Sequence, residues 1–207
     1  MKTKQCWVRG YSVIAAMMIF IAGTLSGCQR DDEIPLKDLK SGDEYQYVKA
    51  AWNASAEEVE KNLPYSIEKD SYKTPESGSG QYIPYKTEKI ISVDGYQAEA
   101  GFEFYEDELK VVNFRFRVQD SGYREQFAEQ VEHLIQQFGQ ESEKVENSGN
   151  GAEGVTAGME SVTYRWDTEN TTLQFGLVTG SSIKPTIQLA LAHKSVFEEK
   201  YRDMIGG

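Results

Sequence analysis

The chain has 207 residues, with 22 Lys and Arg against 33 Asp and Glu, and a formal net charge of −11. Three cations (Lys2, Lys4, Arg9) and no acid lie in residues 1–27, so residues 28–207 carry 19 − 33 = −14; that balance argues against a nucleic-acid partner, whose capture rests on neutralising phosphates. Hydrophobic residues at 39% and aromatics at 12% suffice for a core, while Cys6, Cys28, His133 and His193 are too few for a disulfide framework or a Cys/His zinc site.

Residues 1–10 are basic, and Val13 to Ala22 form an unbroken apolar run that reaches Gly23-Thr24-Leu25-Ser26-Gly27-Cys28. A charged start, a short apolar stretch and small residues before a cut read as a secretory signal. The apolar segment from Tyr11 to Gly27 falls short of the roughly 20 residues a membrane span needs.

Leu25-Ser26-Gly27-Cys28 resembles the lipobox of bacterial lipoproteins. That resemblance implies diacylglycerol on the Cys28 sulfur, cleavage before Cys28, and a mature chain anchored in a bacterial membrane and facing away from the cytoplasm. Several acyl chains hold a protein stably where one does not. Residues 28–44 then read as a lipidated tether, polar and broken by Pro35 and Gly42. A flexible coil of that length spans about 20–24 Å. Residues 45–207 read as a single domain.

Ser55-Ala56-Glu57-Glu58 is a capping box, and Val59, Leu63 and Pro64 give a helix over 56–63. Tyr45 to Ala51 reads as a second short helix, and Trp52 as a core anchor. Residues 64–86 read as a loop, with Pro64, Pro75, Pro84 and four tyrosines (Tyr65, Tyr72, Tyr82, Tyr85).

Strands follow at Lys89–Val93, Tyr96–Tyr105 and Lys110–Val118, with Asp94-Gly95 as the first turn. Ala98, Ala100, Phe102 and Phe104 share one face, as do Val112, Phe114, Phe116 and Val118. A three-residue loop at 106–108 pairs residues whose numbers sum to 214, so that all the aromatic side chains fall on one side; a one-residue slip would throw Phe114 to the other.

Asp120-Ser121 caps a helix over 122–138, in which Tyr123, Phe127, Val131, Leu134, Ile135 and Phe138 make one apolar stripe that stops at Gly139. His133 lies off that stripe. Residues 140–158 have no periodicity and read as a loop. Alternation then marks strands around Val162–Trp166, Leu173–Leu177 and Ile187–Leu191, and a last helix fits Val196–Met204.

The class is α+β, an antiparallel sheet with helices on one face, and the order allows two similar halves, 45–119 and 120–194. This element order and the start Trp-x-x-Ser-x-Glu-Glu-Val (Trp52–Val59) resemble small envelope proteins of the β-lactamase-inhibitory-protein and BamE (SmpA) types. No functional residue follows from that resemblance.

No nucleophile elbow, phosphate loop or EF-hand spacing occurs, and no metal, cofactor or catalytic residue is assigned. Two features suggest recognition. One is the tyrosine-rich stretch 64–86. The other is the polar face of the sheet, with Asn113, Arg115, Arg117, Arg165 and Gln174 beside Gly101 and Gly176. Arginine pairs bidentately with carboxylates and phosphates, and the glycines would let a flat ligand approach the backbone. An ordinary solvated sheet face accounts for the same alternation. The expectation is a lipid-anchored binding or scaffold module for a protein, peptide or glycan of the envelope. A carboxylate-based cell-wall or peptide hydrolase and a hydrolase inhibitor are the alternatives.

Overall fold

The computed structural model describes residues 33–70, 82–119, 121–148 and 159–196. In chain order they form β1 (Glu33–Ile34), a 3-10 turn (Leu36–Leu39), β2 (Lys40–Ser41), β3 (Glu44–Tyr45), α1 (Ala56–Asn62), β4 (Ile67–Lys69), β5 (Tyr82–Thr87), β6 (Ile91–Val93) and β7 (Tyr96–Tyr105). Then come β8 (Glu108–Phe116), α2 (Tyr123–Phe138), β9 (Glu143–Ser148), β10 (Met159–Asp167), β11 (Thr171–Gly180) and β12 (Ile183–His193). The segment read as a secretory signal, Cys28 and all but the first residue of the helix expected at 196–204 lie outside the described residues.

The fold is α+β. Among the described residues ten strands make one sheet in the order β1-β6-β7-β8-β12-β11-β10-β9. The long strand β7 shares its outer edge between β6 and β5, and β4 pairs with β5. Among the described residues only the β1–β6 pair is parallel. Two meanders, β6-β7-β8 and β10-β11-β12, meet at their last strands, with Phe114 opposite Leu189.

One face of this sheet is the core. Phe102, Phe104, Phe114, Phe116, Leu173, Phe175, Ile187, Leu189 and Leu191 are all buried. Each such side chain contributes about 1.5–3 kcal/mol. Helix α2 covers one part, where Phe127 stacks on Phe175 with centroids 4.9 Å apart and Phe116 meets Phe175 edge-on. The N-terminal segment covers another, with Tyr47 set edge-on against Phe114. The roof over the β7–β8 phenylalanines is therefore shared between α2 and the N-terminal segment.

This changes the reading of the N-terminal segment. From Glu33 onward it is part of the fold, not tether: Ile34, Leu36, Leu39, Tyr45 and Tyr47 are buried, and Ile34 pairs with Val93. No helix forms at 45–51; Tyr45 ends β3 and accepts the Trp52 Nε1–H at its carbonyl, 3.1 Å away. Helix α1 starts at the expected capping box, the Ser55 Oγ accepting from the Glu58 N–H and the Glu58 carboxylate from the Ser55 N–H. Helix α2 is capped differently from expectation. Its N-cap is Gly122 at φ 90°, with no side-chain cap.

The β7–β8 register shows how local and global demands are reconciled. Ala98 to Glu103 pair with Phe116 to Val111, the expected sum of 214. The turn, however, has two residues, Glu106 and Asp107, both with positive φ (50° and 66°), and beyond it Phe104 pairs with Leu109. A bulge at Lys110 absorbs the odd residue and restores the parity that keeps Phe114 inside. The Leu109 backbone is held by Asn53 N–H and Ala54 C=O, and Lys110 Nζ donates to Asn53 Oδ1 (2.6 Å) and Glu108 Oε2 (2.7 Å).

Two segments read as loops contain strands. Residues 64–86 include β4 and most of β5, and 140–158 includes β9. Pro84 within β5 and the polar sequence of β9 concealed them.

Candidate functional site

Among the described residues the opposite face of the sheet carries no helix. Residues directly opposite in neighbouring strands share a face, so its rows follow from the pairing. One row, β7 to β9, is Gly101, Asn113, Ala190, Gln174, Arg165 and Glu143; the next is Glu99, Arg115, Gln188, Gly176, Thr163 and Val145. Arg117, just past β8, donates its N–H to Gln97 and extends the face by one more row. All five residues singled out from the sequence therefore share this face.

They do not form one cluster. Arg115 and Arg165 stand three strands and one row apart, roughly 16 Å between Cα atoms from ordinary sheet spacings. Arg165 is clamped by Glu143 Oε2 (2.9 Å) and Asp167 Oδ2 (2.7 Å), and Lys194 Nζ also approaches Asp167, at 3.7 Å. Arg117 lies 3.8 Å from Glu99. Arg115 is exposed and makes no ion pair among the described residues.

The glycines do not open the floor. The Asn113 side chain fills the space above Gly101, its Oδ1 2.7 Å from where a Cβ would stand. Thr163 Oγ1 sits 3.2 Å from the equivalent point at Gly176. Asn113 is only 7% exposed and donates to Glu103 Oε1 at 3.3 Å, so it supports the face from within.

A shallow recess remains at the β5–β7–β8 end, lined by Asp70, Pro84, Lys86, Glu99, Asn113 and Arg115. Its lining carries both signs of charge, and the Asn113 side chain covers Gly101 beneath it. Its β5 wall was missed from sequence; the alternation of Ile83, Tyr85 and Thr87 would have revealed it, since Tyr85 packs edge-on against Phe104, 5.2 Å between centroids.

A second polar cluster lies at the far end of β12. His193 Nδ1 meets Ser195 Oγ at 2.7 Å, and the ring faces Trp52 at 6.2 Å. Burial and then Lys110 push the His193 pKa down, against the pull of Glu44 and Glu108. The Ser195 N–H also reaches Nδ1, so this nitrogen is the acceptor of two local bonds and the imidazole serves as a packed structural group. His133, off the apolar stripe of α2, pairs its Nδ1 with Asp94 Oδ2 at 2.6 Å, tying α2 to the β6–β7 turn.

Among the described residues no group of three or more His, Cys, Asp or Glu is placed to hold a metal ion, and no helix is long and apolar enough to cross a membrane. No protein-family model, curated protein or solved structure matches the chain. The element-order resemblance to inhibitory and BamE-type proteins thus gains no support from these comparisons.

Proposed function

We propose that this chain is a lipid-anchored protein of a bacterial envelope that works by binding a protein, peptide or glycan across its open sheet face. The location rests on the lipobox-like Leu25-Ser26-Gly27-Cys28. The observation that carries the binding role is the wide sheet that, among the described residues, is roofed on one face only, with Arg115 unpaired beside the β5–β7–β8 recess. An unpaired guanidinium beside a recess lined by both signs of charge suits a carboxylate-bearing or zwitterionic partner of modest affinity. The acids of the face are mostly engaged: Glu99 with Arg117, Glu143 and Asp167 with Arg165.

Two experiments test this. Labelled fatty acid should enter the wild-type chain and not Cys28→Ala; acylation of that variant overturns the anchor. Photo-crosslinking in envelope membranes from a probe at position 174 should capture a partner that is lost in Arg115→Glu and kept in Lys184→Glu, an exposed lysine of β12 distant from the recess. Capture that survives Arg115→Glu moves the binding surface elsewhere.

A further inference from the structure

The sheet ends at β9 on one side, and beyond β7 it is split between two short edge strands, β1 and the three-residue β4. Of these, β1 offers a two-residue edge backed by the buried 3-10 turn. On the other side, β9 runs for six residues in unbroken register against β10, and among the described residues nothing pairs with its outer side. It contains no proline and no bulge, and its central Val145 is 39% exposed. A flat edge of this kind is a template for another strand.

The sequence of β9, Glu143-Lys144-Val145-Glu146-Asn147-Ser148, selects among possible occupants. If a second copy of β9 pairs antiparallel, the two partners' numbers have a constant sum. A sum of 287 sets Lys144 against Glu143 but also Glu146 against Glu141, just before β9, and a sum of 288 sets Lys144 against Lys144. A sum of 289 sets Glu143 against Glu146, and 292 sets Glu146 against itself. A sum of 291 matches no charges. A sum of 290 alone sets Lys144 against Glu146 twice and Val145 against Val145. Directly opposed residues stand about 5 Å apart and opposite charges there attract. Lys144 already holds its own Glu146 at 2.6 Å. The second copy therefore completes a square of alternating charge on one side of the sheet and buries the two valines on the other.

We infer that β9 is a self-association edge: two copies of this chain pair β9 to β9 antiparallel about Val145. The even sum keeps like faces together, so the two-fold axis is normal to the sheet and both open polar faces lie on the same side. The joined sheet is continuous from one β1 to the other. An interface made of one strand pair is small, so association is reversible and depends on concentration, and anchoring two chains in one membrane would favour it.

Sedimentation of the full chain in non-ionic detergent at rising protein-to-micelle ratio tests the pairing, together with Lys144→Glu, Glu146→Lys and the double variant. Circular dichroism confirms the fold of each. Wild type is expected to form dimers. Either single reversal sets like charges opposite each other and should weaken dimerisation at least tenfold. The double variant should restore it, and a mixture of the two single variants should form heterodimers, because each then supplies the charges the other lacks. A monomeric wild type at the highest concentration, or dimers indifferent to the single reversals, overturns the inference. Failure of the mixture to associate overturns the register.

Discussion

The amide of Asn113 occupies the place where Gly101, opposite it across the β7–β8 ladder, would carry a Cβ. From that point Oδ1 is 2.7 Å away and Nδ2 2.9 Å. Glycine here makes room for a neighbour's side chain, not for a ligand. Gly101→Ala should cost about 1–2 kcal/mol, as overpacking does. Asn113→Ala in the same chain should recover part of that cost, giving a coupling of at least about 0.5 kcal/mol in a double-mutant cycle read by urea denaturation. Additive effects would show the contact to be loose.

Adjacent residues of β8 should behave in opposite ways. Phe114 is fully buried between Tyr47 and the sheet, and Phe114→Ala should destabilise by about 3–5 kcal/mol. Arg115 is exposed, and Arg115→Ala should change stability by less than about 0.5 kcal/mol. Equal losses would contradict the inside–outside parity of the strand.

That parity was legible because β7, β8, β11 and β12 each show one face to the core and one to water, which writes a period of two into the sequence. Where a segment faces water on both sides the pattern vanishes. Strand β9 holds Val145 as its single aliphatic residue, and that valine is exposed. The N-terminal segment escaped for another reason. Ile34, Leu36 and Leu39 are buried singly, in a two-residue strand and a 3-10 turn, and such short pieces have no period to read. The site was legible as a face but not as a cluster. Alternation tells which side a residue takes, whereas the distance from Arg115 to Arg165 depends on β12 and β11 lying between them.

The β7–β8 turn offers a gain in stability. Glu106 and Asp107 both adopt positive φ, a region that costs an ordinary side chain about 1–2 kcal/mol and that Asn and Gly tolerate. Glu106→Asn with Asp107→Gly should raise stability by about 1 kcal/mol, seen as a higher urea midpoint at unchanged slope. A lower midpoint would mean that these side chains are held by something other than the turn.

Acid should destabilise the protein in two stages. His193 is pushed below its ordinary 6.5 by burial and by Lys110. As the pH falls through 6.5 the unfolded chain binds this proton first, so stability is full above that value and declines below it, down to the lower folded pKa. Glu44 lies below its ordinary 4.5. Burial pushes it up, but hydrogen bonds from Thr168, Thr171 and Asn170 outweigh that. Its contribution is complete above 4.5 and is lost as the pH falls towards the folded value. Urea midpoints between pH 8 and 3 should show that His193→Gln removes the first stage. Glu44→Gln should shrink the second and cost about 1–2 kcal/mol at neutral pH, the worth of a partly exposed charged hydrogen-bond acceptor. A profile unchanged by both substitutions would refute the assignment.

The position of β1 has a mechanical consequence. A pull on the N terminus enters the protein through two parallel residue pairs, Glu33–Ser92 and Ile34–Val93, steadied by the bond from Gly95 N–H to the Glu33 carboxylate. Behind them Leu36, Val93, Phe116, Leu134 and Phe175 line one small apolar space. Peeling this segment would break few backbone bonds before tension reached the long strands β7, β8, β11 and β12. Under load the protein would yield first at residues 33–39 and lengthen there, while the broad sheet and its open face kept their shape.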